Sequence, residues 1–353
     1  MPRSHRSSLL HAGRSTLFVP PLAVLLLCGV ARADHSIGGL VGGAAGPINA
    51  IPAGTLPEGL WTGSLRMEVT DLEQRSNAEL LAAAAAGEDL HSNDRIIVGL
   101  LGVAWGASSD VTLGAVLPYV DMTDLREAEA GEGIVAQGDV RGLGDLSLFG
   151  QWRFLDQPAG ADGLGRLELA ALGGLKLPTG ADREHGNSGE LLETDHQPGS
   201  GSYDVFAGMA ATRSWDRASV TADLVFTKAN QGSQLTDMGD VLRYDLAWSY
   251  RLSEELRRTE MHLDGTAHAH GTADTQWDLV LELNGAWHEK VDIDGEDDDD
   301  TGGNRVLFAP GVRATTTDHM SVYASLGVPV LENLNGEEHE TDAKVVAGVS
   351  WAF

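Results

Sequence analysis

The chain has 353 residues, with 52 acidic against 24 basic side chains, a formal charge of −28, 44 glycines and one cysteine. That acidity excludes nucleic acid as a partner, because such binding needs clustered Lys and Arg, and a lone cysteine excludes a disulfide scaffold. Only one apolar run comes near the length of a helical membrane span, and it lies at the extreme N-terminus.

Residues 1–33 read as a secretory signal peptide. Arg3, Arg6 and Arg14 make a basic start without acids, and an apolar stretch from Leu17 to Val30 follows, broken by Pro20 and Pro21. Ala31-Arg32-Ala33 then sets small residues before Asp34. A lipoprotein would use Cys28, but Leu27 stands where a small residue is wanted. Residues 34–57 are rich in Gly, Ala and Pro and show no strand alternation. They either fold into a lumen as a plug or lie free in the periplasm. Residues 58–353 form the third unit.

In that unit apolar residues recur at period two, in segments of about ten residues separated by turn-forming clusters. The predicted strands are 60–70, 95–106, 111–121, 143–154, 165–177, 201–213, 218–228, 240–252, 276–288, 305–315, 320–330 and 343–353. Leu242, Tyr244, Leu246, Trp248 and Tyr250 alternate with Arg243, Asp245, Ala247, Ser249 and Arg251, and Trp277, Leu279, Leu281 and Leu283 repeat the pattern. A soluble β-sandwich also alternates, but here aromatics gather at segment ends and charges sit in mid-strand on the other face. Those two features fit an interfacial girdle and a polar lumen. The fold expected is therefore all-β: a transmembrane antiparallel β-barrel of about 12 strands in the outer membrane of a Gram-negative bacterium. An even count closes the sheet so that no edge is left unpaired in lipid.

Short turns at 107–110, 214–217 and 316–318 alternate with long polar loops at 71–94, 122–142, 178–200, 229–239, 289–304 and 331–342, the arrangement of periplasmic turns and outer loops. Pro118, Pro178 and Pro329 fall near outer ends of ascending strands, where a missing donor costs least. Pro310 falls in mid-strand and has no such explanation.

Alternation places Arg66, Glu68, Asp145, Arg153, Glu168, Lys176, Asp204, Asp223, Arg243, Asp245, Arg251, Asp278, Glu282, Arg313 and Lys344 on the inner face as lumen-lining candidates. Such charges either pair with one another to offset desolvation or sort permeants by sign. By the same assignment an arginine at outward Leu246 would meet lipid, and one at inward Ser249 would meet water. His262, His268 and His270 lie in the one long periplasmic connection, where the spacing suits a metal site or a plain solvated loop. The acidic run 292–300 fails the EF-hand template and reads as a solvated acidic outer loop, with loose bridging of divalent cations beside lipopolysaccharide as the alternative.

No enzyme is expected. Ser147 in Gly144-Asp145-Leu146-Ser147-Leu148 faces inward from mid-strand without a nucleophile elbow or a placed histidine, and no outward Ser–His pair marks a barrel phospholipase. No cofactor motif or energy-coupling box is present, so passage would be passive.

The last strand, Ala343-Lys344-Val345-Val346-Ala347-Gly348-Val349-Ser350-Trp351-Ala352-Phe353, is similar to the Phe-terminated strand that the barrel assembly machinery recognises. Gly142-Leu143-Gly144-Asp145-Leu146-Ser147-Leu148-Phe149-Gly150, Leu175-Lys176-Leu177-Pro178-Thr179-Gly180 and Gln197-Pro198-Gly199-Ser200-Gly201-Ser202-Tyr203-Asp204 occur in order. In these motifs the chain resembles the outer-membrane transporter family linked to the meta-pathway of phenol degradation. The resemblance implies a channel or facilitator for small, hydrophobic or aromatic molecules. The competing expectation is a structural surface barrel with a closed lumen, or one whose loops bind cations or partners.

Overall fold

The computed structural model describes residues 46–86, 90–129, 133–160, 163–252, 275–316, 320–336 and 338–353. The signal segment 1–33 and the histidines 262, 268 and 270 lie outside the described residues.

Twelve strands form the wall: β1 (Trp61–Leu72), β2 (Arg95–Ser108), β3 (Val111–Glu129), β4 (Leu146–Gln157), β5 (Arg166–Leu177), β6 (Asp204–Ser214), β7 (Ala218–Lys228), β8 (Val241–Arg251), β9 (Gln276–His288), β10 (Gly303–Thr315), β11 (Met320–Leu334) and β12 (Thr341–Ala352). Each pairs antiparallel with its sequence neighbours, and β1 pairs β12 from Thr62↔Ala352 to Leu72↔Thr341, which closes the cylinder. Phe353 and Trp61 exchange backbone hydrogen bonds of 2.9 and 3.0 Å at the seam, on the rim of the short turns, which is the periplasmic rim in outer-membrane barrels.

The outward face follows the alternation. Leu65, Met67, Leu101, Leu113, Leu224, Leu246 and Leu283 are exposed on the wall, as a lipid-facing band requires. Every tryptophan except Trp287 lies near the periplasmic rim, with Trp61 stacked on Trp105 and Trp248 on Tyr250. The rings form one interfacial belt.

The prolines have local explanations. Pro118 sits where β3 changes partner: its lower half pairs β4 up to Val116↔Ser147, and its upper half pairs a further strand, Gly133–Leu143, from Tyr119↔Leu143. The missing N–H falls in the gap. At Pro310 the β10–β11 ladder lapses between Phe308↔Val328 and Gly311↔Ser325, then resumes in the same register. A mid-strand proline is thus accommodated by a two-residue break on one side only.

The loop expected at 122–142 is a projecting hairpin instead, formed by the upper half of β3 and the Gly133–Leu143 strand. In the loop after β1 lies α1 (Asn77–Ala86). It is started by a capping box in which Ser76 N–H donates to Glu79 Oε2 (2.7 Å) and Glu79 N–H donates to Ser76 Oγ (3.3 Å). The acidic run folds in part as a small hairpin, Asp292–Ile293 against Glu296–Asp297, that pairs with Thr236–Asp237.

Two outer loops meet at His339, whose Nδ1 lies 3.3 Å from the Glu73 carbonyl, while Arg75 donates to the Glu338 carbonyl at 3.0 Å. Burial, with the Arg75 guanidinium nearby, pushes the His339 imidazole down to about 4. Free imidazole titrates near ~6.5, so the parted loops take up a proton that the packed loops refuse. The contact is therefore complete above that value and is lost as pH falls from there toward about 4. Limited proteolysis of the 73–76 and 338–340 segments should accelerate over that window, and His339→Gln should flatten the response.

Candidate functional site

The interior has two unlike walls. On the β8–β12 and β1 side the inward residues are charged. Glu68 accepts from Arg66 Nε (2.7 Å) and Lys344 Nζ (2.6 Å), Arg243 lies 3.7 Å from Asp245, and Arg251 lies 3.3 Å from Asp278. Arg313 is buried with its guanidinium 5.3 Å over the Tyr323 ring. On the β2–β7 side Ile96, Val98, Leu100, Val116, Val120, Phe149, Leu172, Phe206 and Val225 form one continuous buried cluster. Two of its aromatics lie flat because glycine faces them across the ladder. A Cβ on Gly114 would come within 2.4 Å of Phe149, and one on Gly174 within 2.2 Å of Phe206. Glycine opposite an aromatic ring keeps both rings against the wall and out of the central space.

Residues 46–57 run between these walls. Pro47 O accepts from Arg313 Nη2, and Ile48 O and Asn49 Oδ1 accept from Arg66 at 2.8 and 2.7 Å. The Glu282 carboxylate accepts from the backbone N–H groups of Ile48 (2.9 Å), Asn49 (3.0 Å) and Ala50 (3.3 Å), and from Asn49 Nδ2 (2.6 Å). Ile51 N–H donates to Asp223 (2.7 Å), Ala53 N–H to Thr212 Oγ1 (3.0 Å) and Leu56 N–H to Thr112 Oγ1 (2.9 Å). Gln151 donates to the Pro52 and Gly54 carbonyls at 2.8 and 3.1 Å. The segment has no secondary structure to satisfy its backbone, so the barrel wall supplies partners group by group, as burial demands. Its apolar side chains find apolar ground: Ile48 packs with Val280, Tyr323 and Val346, while Ile51 and Leu56 join the large cluster. The earlier part of this stretch lies outside the described residues.

The remaining candidates sit at the two ends. Near the periplasm Arg153 bridges Glu168 (2.8 Å) and Asp110 (2.9 Å). Near the outside Lys176 contacts Asp204 and lies 3.6 Å from Asp145. Asp145 accepts from Gly180 N–H (2.8 Å) and Ser200 N–H (2.9 Å), which ties the outer loop down. Ser147 is buried on the inner face.

Above the segment lies a cavity of about 130 Å³. Ile51 forms its floor, Phe206, Val225 and Val241 its apolar side, and Asp145, Lys176, Asp204 and Arg243 its polar side. Thr194, Gln197 and Pro198 of the loop 178–203 lie over it. Alternation locates the charged positions but does not mark the apolar half. β2 is apolar on both faces, with Ile96, Val98 and Leu100 buried inside and Leu101 and Val103 exposed outside, so period two carries no contrast there. Thr112, Gln151 and Thr212 of the wall, which hold the segment, carry no sequence signal either, because no local pattern pairs them with residues 46–57.

No protein-family profile matches the chain, and no curated protein sequence matches it. Among solved structures, the COG4313 outer-membrane channel from Pseudomonas putida F1 superposes with a TM-score of 0.56 at 17% identity, over 85% of this chain and 98% of that one. The toluene transporter TodX of P. putida gives 0.41 at 10% identity over 89% and 97%, and the β domain of the Bordetella autotransporter BrkA gives 0.41 at 14% over 84% and 100%. The fold is the closed 12-stranded antiparallel barrel of outer-membrane proteins.

Proposed function

We propose that this chain is an outer-membrane channel for passive passage of small apolar or aromatic molecules, gated by residues 46–57. The observation that carries the proposal is the apolar wall. A pore for ions or sugars gains nothing from a continuous buried surface of Leu100, Val116, Phe149, Leu172, Phe206 and Val225 beside the lumen, whereas an apolar permeant slides along it without losing polar contacts. The opposite wall carries most of the mid-barrel charge, and both walls hold the gate by hydrogen bonds to its backbone. The outer cavity receives the permeant, and Ile51 blocks its exit downward.

The short motifs similar to the phenol meta-pathway transporters fit the same permeant class. The solved relative named an outer-membrane channel supports the reading through its fold. Export by the 1–33 leader, insertion through the assembly machinery that reads terminal Phe353, and a surrounding of lipid and lipopolysaccharide belong to this proposal. The competing surface barrel draws on the dense hydrogen bonding that ties the interior segment to the wall.

Uptake by cells with and without the protein separates the classes. Toluene-like and phenolic solutes should enter faster with it, while sugars should show little change. Equal acceleration of glucose and an aromatic solute would defeat the apolar-track reading.

A further inference from the structure

The outer rim carries a cluster of metal-ligating side chains that the channel reading does not use. His91 lies on the short strand His91–Ser92, directly opposite Glu127 of β3 in the register. Its Nε2 is 3.1 Å from Glu127 Oε2 and 3.9 Å from Glu193 Oε2. His196 ends the turn Thr194–His196, and its ring centroid is 4.7 Å from that of His91, edge to face. The ligand atoms of His91, Glu193 and His196 all lie within 4.8 Å of one another. Both imidazoles are buried, and a cavity of about 210 Å³ opens beside them.

We infer that His91, His196, Glu193 and Glu127 form a site for a divalent transition metal of the zinc class at the mouth of the barrel. Two imidazoles with carboxylates select borderline metals over calcium or magnesium, which prefer all-oxygen shells. Ligand atoms around tetrahedral zinc stand roughly 3.3–3.5 Å apart, given metal–ligand distances near 2.0–2.1 Å. His91 and Glu127 stand slightly closer than that, at 3.1 Å. Closing the rest needs a rotation of Glu193, whose side chain is the most exposed of the set.

Two further side chains orient the ligands. Asp195 Oδ1 lies 3.2 Å from His196 Nδ1, which makes that nitrogen the donor and leaves Nε2 with the lone pair. Gln137, itself buried, donates to the other oxygen of Glu127 and fixes the carboxylate. The ligands come from three outer segments, so a bound cation cross-links the loop after β1, the β3 hairpin and the loop 178–203. The turn that carries His196 also supplies Thr194 and Asp195 to the cavity over the lumen, so the metal would fix the lid of that cavity.

The test uses the full chain folded in detergent, carrying His262→Ala, His268→Ala and His270→Ala and stripped with EDTA. Calorimetric titration with Zn²⁺ should show one equivalent bound, and equimolar Ca²⁺ should not displace it. Adding His91→Ala and His196→Ala should weaken binding by ~100-fold or more, with folding checked by heat-modifiable gel migration. Absence of binding in the first protein, or unchanged binding in the second, overturns the site. A measurement without the second pair of substitutions covers a folding failure: Zn²⁺ should protect His91 and His196 together from carbethoxylation. Free reaction of both at saturating Zn²⁺ also overturns it. Either result leaves the channel reading untouched, since no flux is measured.

Discussion

Glu282→Gln should raise the open probability of single channels on the order of tenfold or more, because a hydrogen bond to a charged group contributes about 1.5–3 kcal/mol. The carboxylate accepts from the backbone N–H groups of Ile48, Asn49 and Ala50 and from the Asn49 amide. Glutamine keeps one acceptor oxygen, loses the charge and turns an NH₂ group toward donors. Deleting residues 46–57 goes further and should leave a persistently conducting pore. The wall survives this deletion, because its twelve ladders do not use the segment, and Arg66, Glu282 and Arg313 exchange protein partners for water. Planar-bilayer conductance of the three proteins, each verified by heat-modifiable migration, decides the matter. A deletion protein that folds but passes no current would show that the interior is shut for another reason, and would favour the structural barrel.

The outer surface was legible in the sequence and the interior only partly so, for a physical reason. Lipid imposes one rule on every outward position, so Leu242 to Tyr250 and Trp277 to Leu283 betray their faces residue by residue. Inside, the solvent varies from place to place. Charged positions such as Arg243, Asp245 and Glu282 stand out against apolar partners, but the inward Ile96, Val98 and Leu100 of β2 do not, and half of the lumen wall went unread. The outer hairpin gives little strand signal, because Ile134, Val135 and Val140 are sparse among glycines and charges. α1 was marked by Ser76 and Glu79 alone before an alanine-rich run. Contacts across the chain, such as Glu282 with Asn49 or His91 with His196, have no sequence motif at all.

Ser249 shows where alternation misleads and where it holds. Facing inward predicted that an arginine there would reach water, but Ser249 is 4% exposed and sits opposite Val280, which is fully buried. An arginine at Ser249 would overpack this interior, at about 1–3 kcal/mol, so the substitution is not benign. Ser249→Ala is the better inward control. Its Oγ has no hydrogen-bond partner among the described residues, and removing an unpaired buried hydroxyl leaves stability unchanged or slightly raised.

On the outer face the expected effect is larger. Leu246 is 49% exposed at the middle of β8, flanked on the lipid side by Leu283 of β9 and Ala222 of β7. Among the described residues an arginine there has no carboxylate on the neighbouring outward positions to pair with, and its guanidinium must snorkel along the strand to reach a headgroup. Leu246→Arg should cost roughly 2–4 kcal/mol at the midplane, whereas Tyr250→Arg, near the periplasmic belt, should cost about 0–1 kcal/mol. Refolding into phospholipid vesicles across a guanidinium series measures both. The gradient between the two positions is the informative quantity, because loss of packing alone would hurt the large stacked Tyr250 more than Leu246. Equal costs at the two sites would mean that the outward wall meets a uniform solvent, and a surface of that kind does not span a bilayer.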